Sequence, residues 1–140
     1  PITTALHHLY EFILQAGTYK RILTLSTASY SAPEDKFSLK WFVIINGFIR
    51  IFGGDAYEEI RGIAQETVAL GDKISWTVFR VPLLSGEKLS SSEDLVNACF
   101  IGDAEGRDGL CLDRGRLARW VLKELEEAKW IGLCPALSNA

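Results

Sequence analysis

The chain has 140 residues, 48% of them apolar and 24% charged, with a formal net charge of −3. That length supports one domain, residues 1–140, with a real core, and dispersed lysines and arginines in an acidic chain give no electrostatic footprint for nucleic acid. Cys99, Cys111 and Cys134 are widely spaced and form no CxxC pair, which argues against a disulfide framework or a zinc site and for reduced thiols in a cytoplasmic setting.

Ile2, Ala5, Leu6, Leu9, Phe12 and Ile13 recur at helical spacing and predict a first helix from about Thr4 to Gln15, closed by Gly17. His7 and His8 diverge by about 100° on such a helix and do not share a metal. Pro1 opens a helix rather than a strand, which argues against an N-terminal proline base. The run RILTLS from Arg21 is a short strand whose near-continuous apolarity suits a parallel strand covered on both faces. It stops in the hydroxyls of Ser26, Thr27, Ser29, Tyr30 and Ser31, and SAPEDK follows as a loop broken by Pro33.

Ser38 to Phe52 reads as a second helix, apolar nearly all round and ended by Gly53 and Gly54. Its core, WFVIINGFIRIF, is about 12 residues long and carries Arg50, short of the roughly 20 needed to span a bilayer. Such a helix is expected against the core, a partner or a membrane surface. Asp55, with Glu58 three residues on, opens a third helix, and Ile60, Ile63, Ala64, Val68 and Leu70 supply its buried stripe.

KISWTVFRVP is a second strand, ended by Pro82, and GEKLSSSED is a polar surface loop. Ala98 to Ile101 and Gly109 to Leu112 are short strand candidates. Asp113 caps a fourth helix with Leu117, Trp120, Val121 and Leu125 inward. Trp130 to Leu133 is expected as a last short strand before a polar tail. Strands alternating with helices predict an α/β layered sheet with right-handed crossovers.

In order, KRILTLSTAS, PEDKFSLKW, YEEIRGIAQE, ISWTVFRVP and LARWVLKELEEAKWIGLCPALSN resemble the C-terminal half of an atypical short-chain dehydrogenase/reductase of the NmrA-like, NAD(P)-binding-domain type. The likeness spans almost the whole chain. It implies a partial Rossmann-like, doubly wound sheet lacking the N-terminal dinucleotide-binding βαβ unit, with residues 37–53 as a helical insertion. It also implies a hydroxyl residue at a strand end beside the nicotinamide, then a helix with a Tyr-x-x-x-Lys pair or its remnant, then a strand end lining the pocket. Ser26 takes the hydroxyl position with Thr27 beside it. Tyr57 and Arg61 keep the Tyr-x-x-x spacing, with Arg where Lys belongs. Arg80, Val81 and Pro82 take the strand-end position. The resemblance thus implies Ser26, Tyr57 and Arg61 as catalytic residues and Ser26, Thr27, Arg80, Val81 and Pro82 as cofactor-binding.

Carbonyl reduction needs a proton as well as hydride, and a phenol can give it where a nearby cation eases its ionisation. Tyr57 and Arg61, four apart on a helix, lie on one face, although Arg is bulkier than Lys and forks differently. The family's glycine turn for the cofactor phosphates is missing. Gly53-Gly54 follows a helix, and GDAEG from Gly102 brings two acids and precedes no helix. The turn is expected before Pro1, so the chain alone is expected to bind NAD(P) weakly or not at all. Two further readings stand beside the small-molecule reductase. One is a non-catalytic NmrA-like nucleotide sensor. The other is an interaction module, pairing through the apolar helix 41–52 as a homodimer or with a partner that covers the exposed sheet edge.

Overall fold

The structure, a computed structural model, describes residues 1–86 and 95–140, with the side chains of all of these except 48–52. The expected loop at 86–94 therefore lies almost wholly outside the described residues.

The chain opens with α1 (Ile2–Ala16), which ends at Gly17 in the left-handed conformation, φ 67°. Strand β1 (Arg21–Thr27) leads through a loop to α2 (Leu39–Ile44), a π-helical stretch (Ile45–Ile49) and α3 (Arg50–Val68). The expected stop at Gly53-Gly54 is a break rather than an end. Gly54 takes φ 44° and ψ −126°, a conformation open to glycine, and the chain re-enters helix at once. Then come β2 (Ser75–Val81), β3 (Leu83–Ser85), β4 (Val96–Cys99), β5 (Cys111–Asp113), α4 (Arg114–Glu127) and β6 (Ala136–Asn139).

The main sheet has the order β1-β2-β6-β4, with β1, β2 and β6 parallel and β4 antiparallel to β6. β3 and β5 form a separate parallel pair. β1 and β2 are in register from Arg21↔Ser75 to Thr27↔Val81, so both strands end at one level. Helices cover both faces, which is why the β1 and β2 sequences are apolar without clean alternation. On one face Ile22, Trp76 and Val78 pack with Tyr10 of α1 and Ala64 of α3. On the other, Leu23, Phe79 and Val81 pack with Leu117, Trp120 and Val121 of α4. The result is an α/β layered domain with a mixed, mainly parallel sheet, consistent with a Rossmann-like fold. Among the described residues β1 is paired on one side only, and no helix is long and apolar enough to cross a membrane.

Two expectations at the C-terminus are corrected. Trp130 to Leu133 is a turn, with Gly132 at φ 71° and its amide donating to the Trp76 carbonyl at 2.7 Å. The expected polar tail is β6, an interior strand with Ala136, Leu137 and Ser138 all buried. The Ser138 hydroxyl is admitted there because it donates to the Arg107 carbonyl at 2.6 Å. On α4, Leu125 is half exposed and Glu124 is buried in its stead. Glu124 accepts from the Arg21 guanidinium and from the amides of Lys129 and Trp130, so it caps the helix end with charge.

Candidate functional site

Because β1 and β2 end together, the loops leaving them open a cleft at the carboxyl edge of the sheet, the usual ligand position in α/β sheets. One lobe, about 520 Å³, is bounded by Thr27, Ile44, Ala56, Ile60, Val81 and Pro82, with Leu83 and Leu110 beyond. A second lobe, about 440 Å³, is polar, with Ser31, Lys36, Ser38, Asn46, Glu58 and Arg61 on its walls. Ala28, Ser29, Trp41 and Tyr57 line both, so the lobes adjoin across these residues.

The sequence-predicted residues fall into two groups. Thr27, Tyr57, Val81 and Pro82 line the apolar lobe, and Arg61 lines the polar one. Ser26 and Arg80 lie behind the walls instead. Ser26 is fully buried, and its hydroxyl donates to the Ile60 carbonyl at 3.0 Å, fastening α3 to β1. Strand alternation turns it from the strand end toward the helix layer.

Arg80, 1% exposed, forms a bidentate pair with Asp35 at 2.5 and 2.7 Å and donates to the carbonyls of Tyr30 and Cys134. Asp35 in turn accepts from the amides of Ala32 and Ile101. The expected cofactor-side arginine is thus committed to clamping the 28–36 loop onto β2. A guanidinium buried this deeply needs that carboxylate.

Tyr57 and Arg61 do meet, in a different geometry from a Lys beside a phenol. The Arg61 guanidinium carbon lies 5.4 Å from the Tyr57 ring centroid, over the ring face, and a guanidinium nitrogen reaches Glu58 at 3.6 Å. The contact is of the cation–π kind, which guanidinium makes more often than ammonium. Tyr30, the other phenol near the strand end, packs into the core, and burial raises its pKa.

Ser29 lines the cleft although the sequence pattern gives it no role beyond the run of hydroxyls. Its hydroxyl lies 2.5 Å from that of Thr27, and its amide donates to Thr27 Oγ1 at 3.3 Å. Two hydroxyls carry two protons and their mutual bond uses one. The second has no protein acceptor among the described residues. Both residues line the cleft. The run of hydroxyls was the available signal, but the fold decides which of them face the cleft.

Trp41 and Ile44 of α2 form the facing wall. Trp41 is buried and its Nε1 donates to the Asp108 carbonyl at 3.1 Å, while Lys40 Nζ reaches the Asp108 carboxylate at 2.8 Å. The expected apolar insertion therefore packs on the cleft with one face. Phe37, Leu39, Phe42 and Val43 remain exposed.

No glycine-rich turn joins a strand to a helix among the described residues, so none fits a pyrophosphate. At 102–107 four of the amides are already taken, that of Gly106 by the Asp103 carbonyl. Gly102 donates to the Asp108 carboxylate, and Glu105 and Arg107 donate to Asp103. Hydrogen bonds from Arg107 hold Asp103 down to about 2. Burial pushes the Cys99 and Cys134 thiols up to about 11, so neither offers a thiolate at neutral pH. No group of three metal-ligating side chains occurs among the described residues.

No protein-family model and no curated protein matches the sequence. Solved structures match the fold. An oxidoreductase from Lactococcus lactis is 14% identical, with a TM-score of 0.60 over 90% of this chain and 49% of its own. A candidate NADH-flavin reductase from Streptococcus pneumoniae is 16% identical, with a TM-score of 0.60 over 96% and 64%. A candidate exported protein from Burkholderia pseudomallei is 17% identical, with a TM-score of 0.64 over 97% and 63%. The chain spans from half to just under two thirds of those structures. At these identities the likeness is one of fold, an α/β domain with a mainly parallel sheet.

Proposed function

We propose that this chain forms the substrate-side half of the site of an NAD(P)-dependent reductase of the atypical short-chain, NmrA-like type. The dinucleotide-binding βαβ unit is supplied by polypeptide outside residues 1–140. The observation that carries the reading is the cleft at the carboxyl ends of β1 and β2, with a hydroxyl pair and a phenol on its walls. The open edge of β1 and the partial span of the related structures support the missing unit.

In this reading Thr27 and Ser29 hold a carbonyl oxygen, Tyr57 gives it a proton, and Arg61 stacks on Tyr57 to fix the ring. Val81 and Pro82 close the apolar side and exclude water. Ser26 and Arg80 act from behind, as the fastenings of α3 and of the 28–36 loop. A reduced nicotinamide, when bound, supplies hydride to the carbonyl carbon.

The test is the coding sequence upstream of Pro1 and the longer protein it specifies. A strand followed by a GxxGxxG turn is expected there. The extended protein should oxidise NADPH, with kcat lowered about 100-fold or more by Tyr57→Phe. An extended protein that lacks such a turn, or one whose turnover Tyr57→Phe leaves unchanged, contradicts the reading.

A second reading has its own observation. Phe37, Leu39, Phe42 and Val43 form an exposed apolar face around α2, with the Phe37 and Phe42 rings 6.0 Å apart. That face suits a protein-interaction module. Sedimentation as a dilute monomer would count against it.

A further inference from the structure

Resting on the reductase reading, we infer that the substrate is an uncharged, largely hydrophobic carbonyl compound of ring size that presents one oxygen to Thr27 and Ser29. The apolar lobe has a volume typical of small-molecule sites. No charged side chain among the described residues lines it. Apart from hydroxyls, its described wall is aliphatic carbon, glycine and the rings of Trp41 and Tyr57. A charged or multiply polar ligand body would lose its water there and gain no partner.

The polar capacity lies on one side. Ser29 and Tyr57 belong to both lobes, and the Thr27 hydroxyl touches that of Ser29, so these three hydroxyl-bearing residues stand at the junction between the lobes. Beyond the junction lies the charged part of the cleft, where Asp35 is held by Arg80, Glu58 lies 3.6 Å from Arg61 and Lys36 also lines the wall. The Thr27–Ser29 pair keeps one proton to donate, which matches one carbonyl oxygen. A flavin, with several amide groups and a phosphate, does not match a lobe of this kind.

The inference is tested by calorimetric titration of the chain with 2-acetonaphthone, an uncharged ketone, and with its carboxylate analogue 6-acetyl-2-naphthoate. The ketone should bind at least about tenfold more tightly. Ala56→Glu, at an exposed helix position on the lobe, should weaken the ketone about tenfold or more while the thermal midpoint is kept. If that variant does not fold, Leu83→Glu, at a 74% exposed position on the same lobe, takes its place. Thr27→Val should weaken the ketone but leave the hydrocarbon 2-ethylnaphthalene unaffected. Equal or tighter binding of the carboxylate, no binding of either probe, or an acidic variant without effect overturns the inference. These readouts need no nicotinamide. A chain that binds the ketone but, once extended, leaves NADPH unoxidised breaks the reductase reading and spares this one.

Discussion

The wall of the cleft made by the β1 and β2 ends and the 28–36 loop is held by buried charge. The wall made by α2 and the start of α3 is held by apolar packing and the tether to Asp108. In the first, Arg80 and Asp35 between them take four carbonyl or amide partners besides each other. In the second, a π-helical stretch and the break at Gly54 interrupt the regular ladder, and π turns gather at functional sites. The difference teaches where each function resides. The charged wall sets the position of the hydroxyls, and the apolar wall sets what fits against them.

That contrast can be broken from the charged side first. Arg80→Leu leaves Asp35 buried without its partner and should destabilise the chain by about 3–5 kcal/mol in a urea titration. A loss under about 1 kcal/mol would mean that the clamp is not what holds the loop. Leu137→Ala, in the strand read from sequence as a tail, should lose about 2–5 kcal/mol, because the side chain is fully buried between the sheet and α4. A surface-like change there would remove β6 from the core.

The apolar wall should yield less. Trp41→Phe keeps the ring contact but deletes the bond to Asp108, which predicts a loss of about 0.5–1.5 kcal/mol. The smallest effect is electrostatic and lies on α1, away from the cleft. His7 is bonded to Glu66 at 2.8 Å, and that hydrogen bond raises its pKa above 6.5. A raised folded pKa gives stability that is fully present below 6.5 and is lost as pH rises through the folded value. His7→Gln should therefore flatten the stability profile just above pH 6.5 and leave the alkaline side unchanged. A profile unaltered by the substitution would deny the His7–Glu66 bond a role in solution.

Much of the frame was legible in the sequence, because hydrophobic period and cap residues act locally. Helical spacing set α1, α3 and α4, continuous apolarity marked β1 as covered on both faces, and the strand propensity of Trp76, Val78 and Phe79 marked β2. The i, i+4 spacing brought Tyr57 and Arg61 together. What escaped the sequence depends on distance along the chain. Arg80 meets Asp35 across 45 residues, and nothing near Arg80 signals that its guanidinium is consumed. β6 was read as a tail because Ser138 and Asn139 are polar. Their partners, the Arg107 carbonyl and the Asp113 amide, appear only when the loops close. The resemblance gives Ser26 the strand-end hydroxyl position, but strand alternation sends it behind the wall, and the turn after Thr27 brings Ser29 to the cleft.

The central claim is that the described residues build the substrate side of a reductase site and no phosphate cradle. Calorimetric titration of the 140-residue chain with NADPH tests it most directly. The account predicts no saturable binding up to millimolar cofactor, and a micromolar dissociation constant would contradict it.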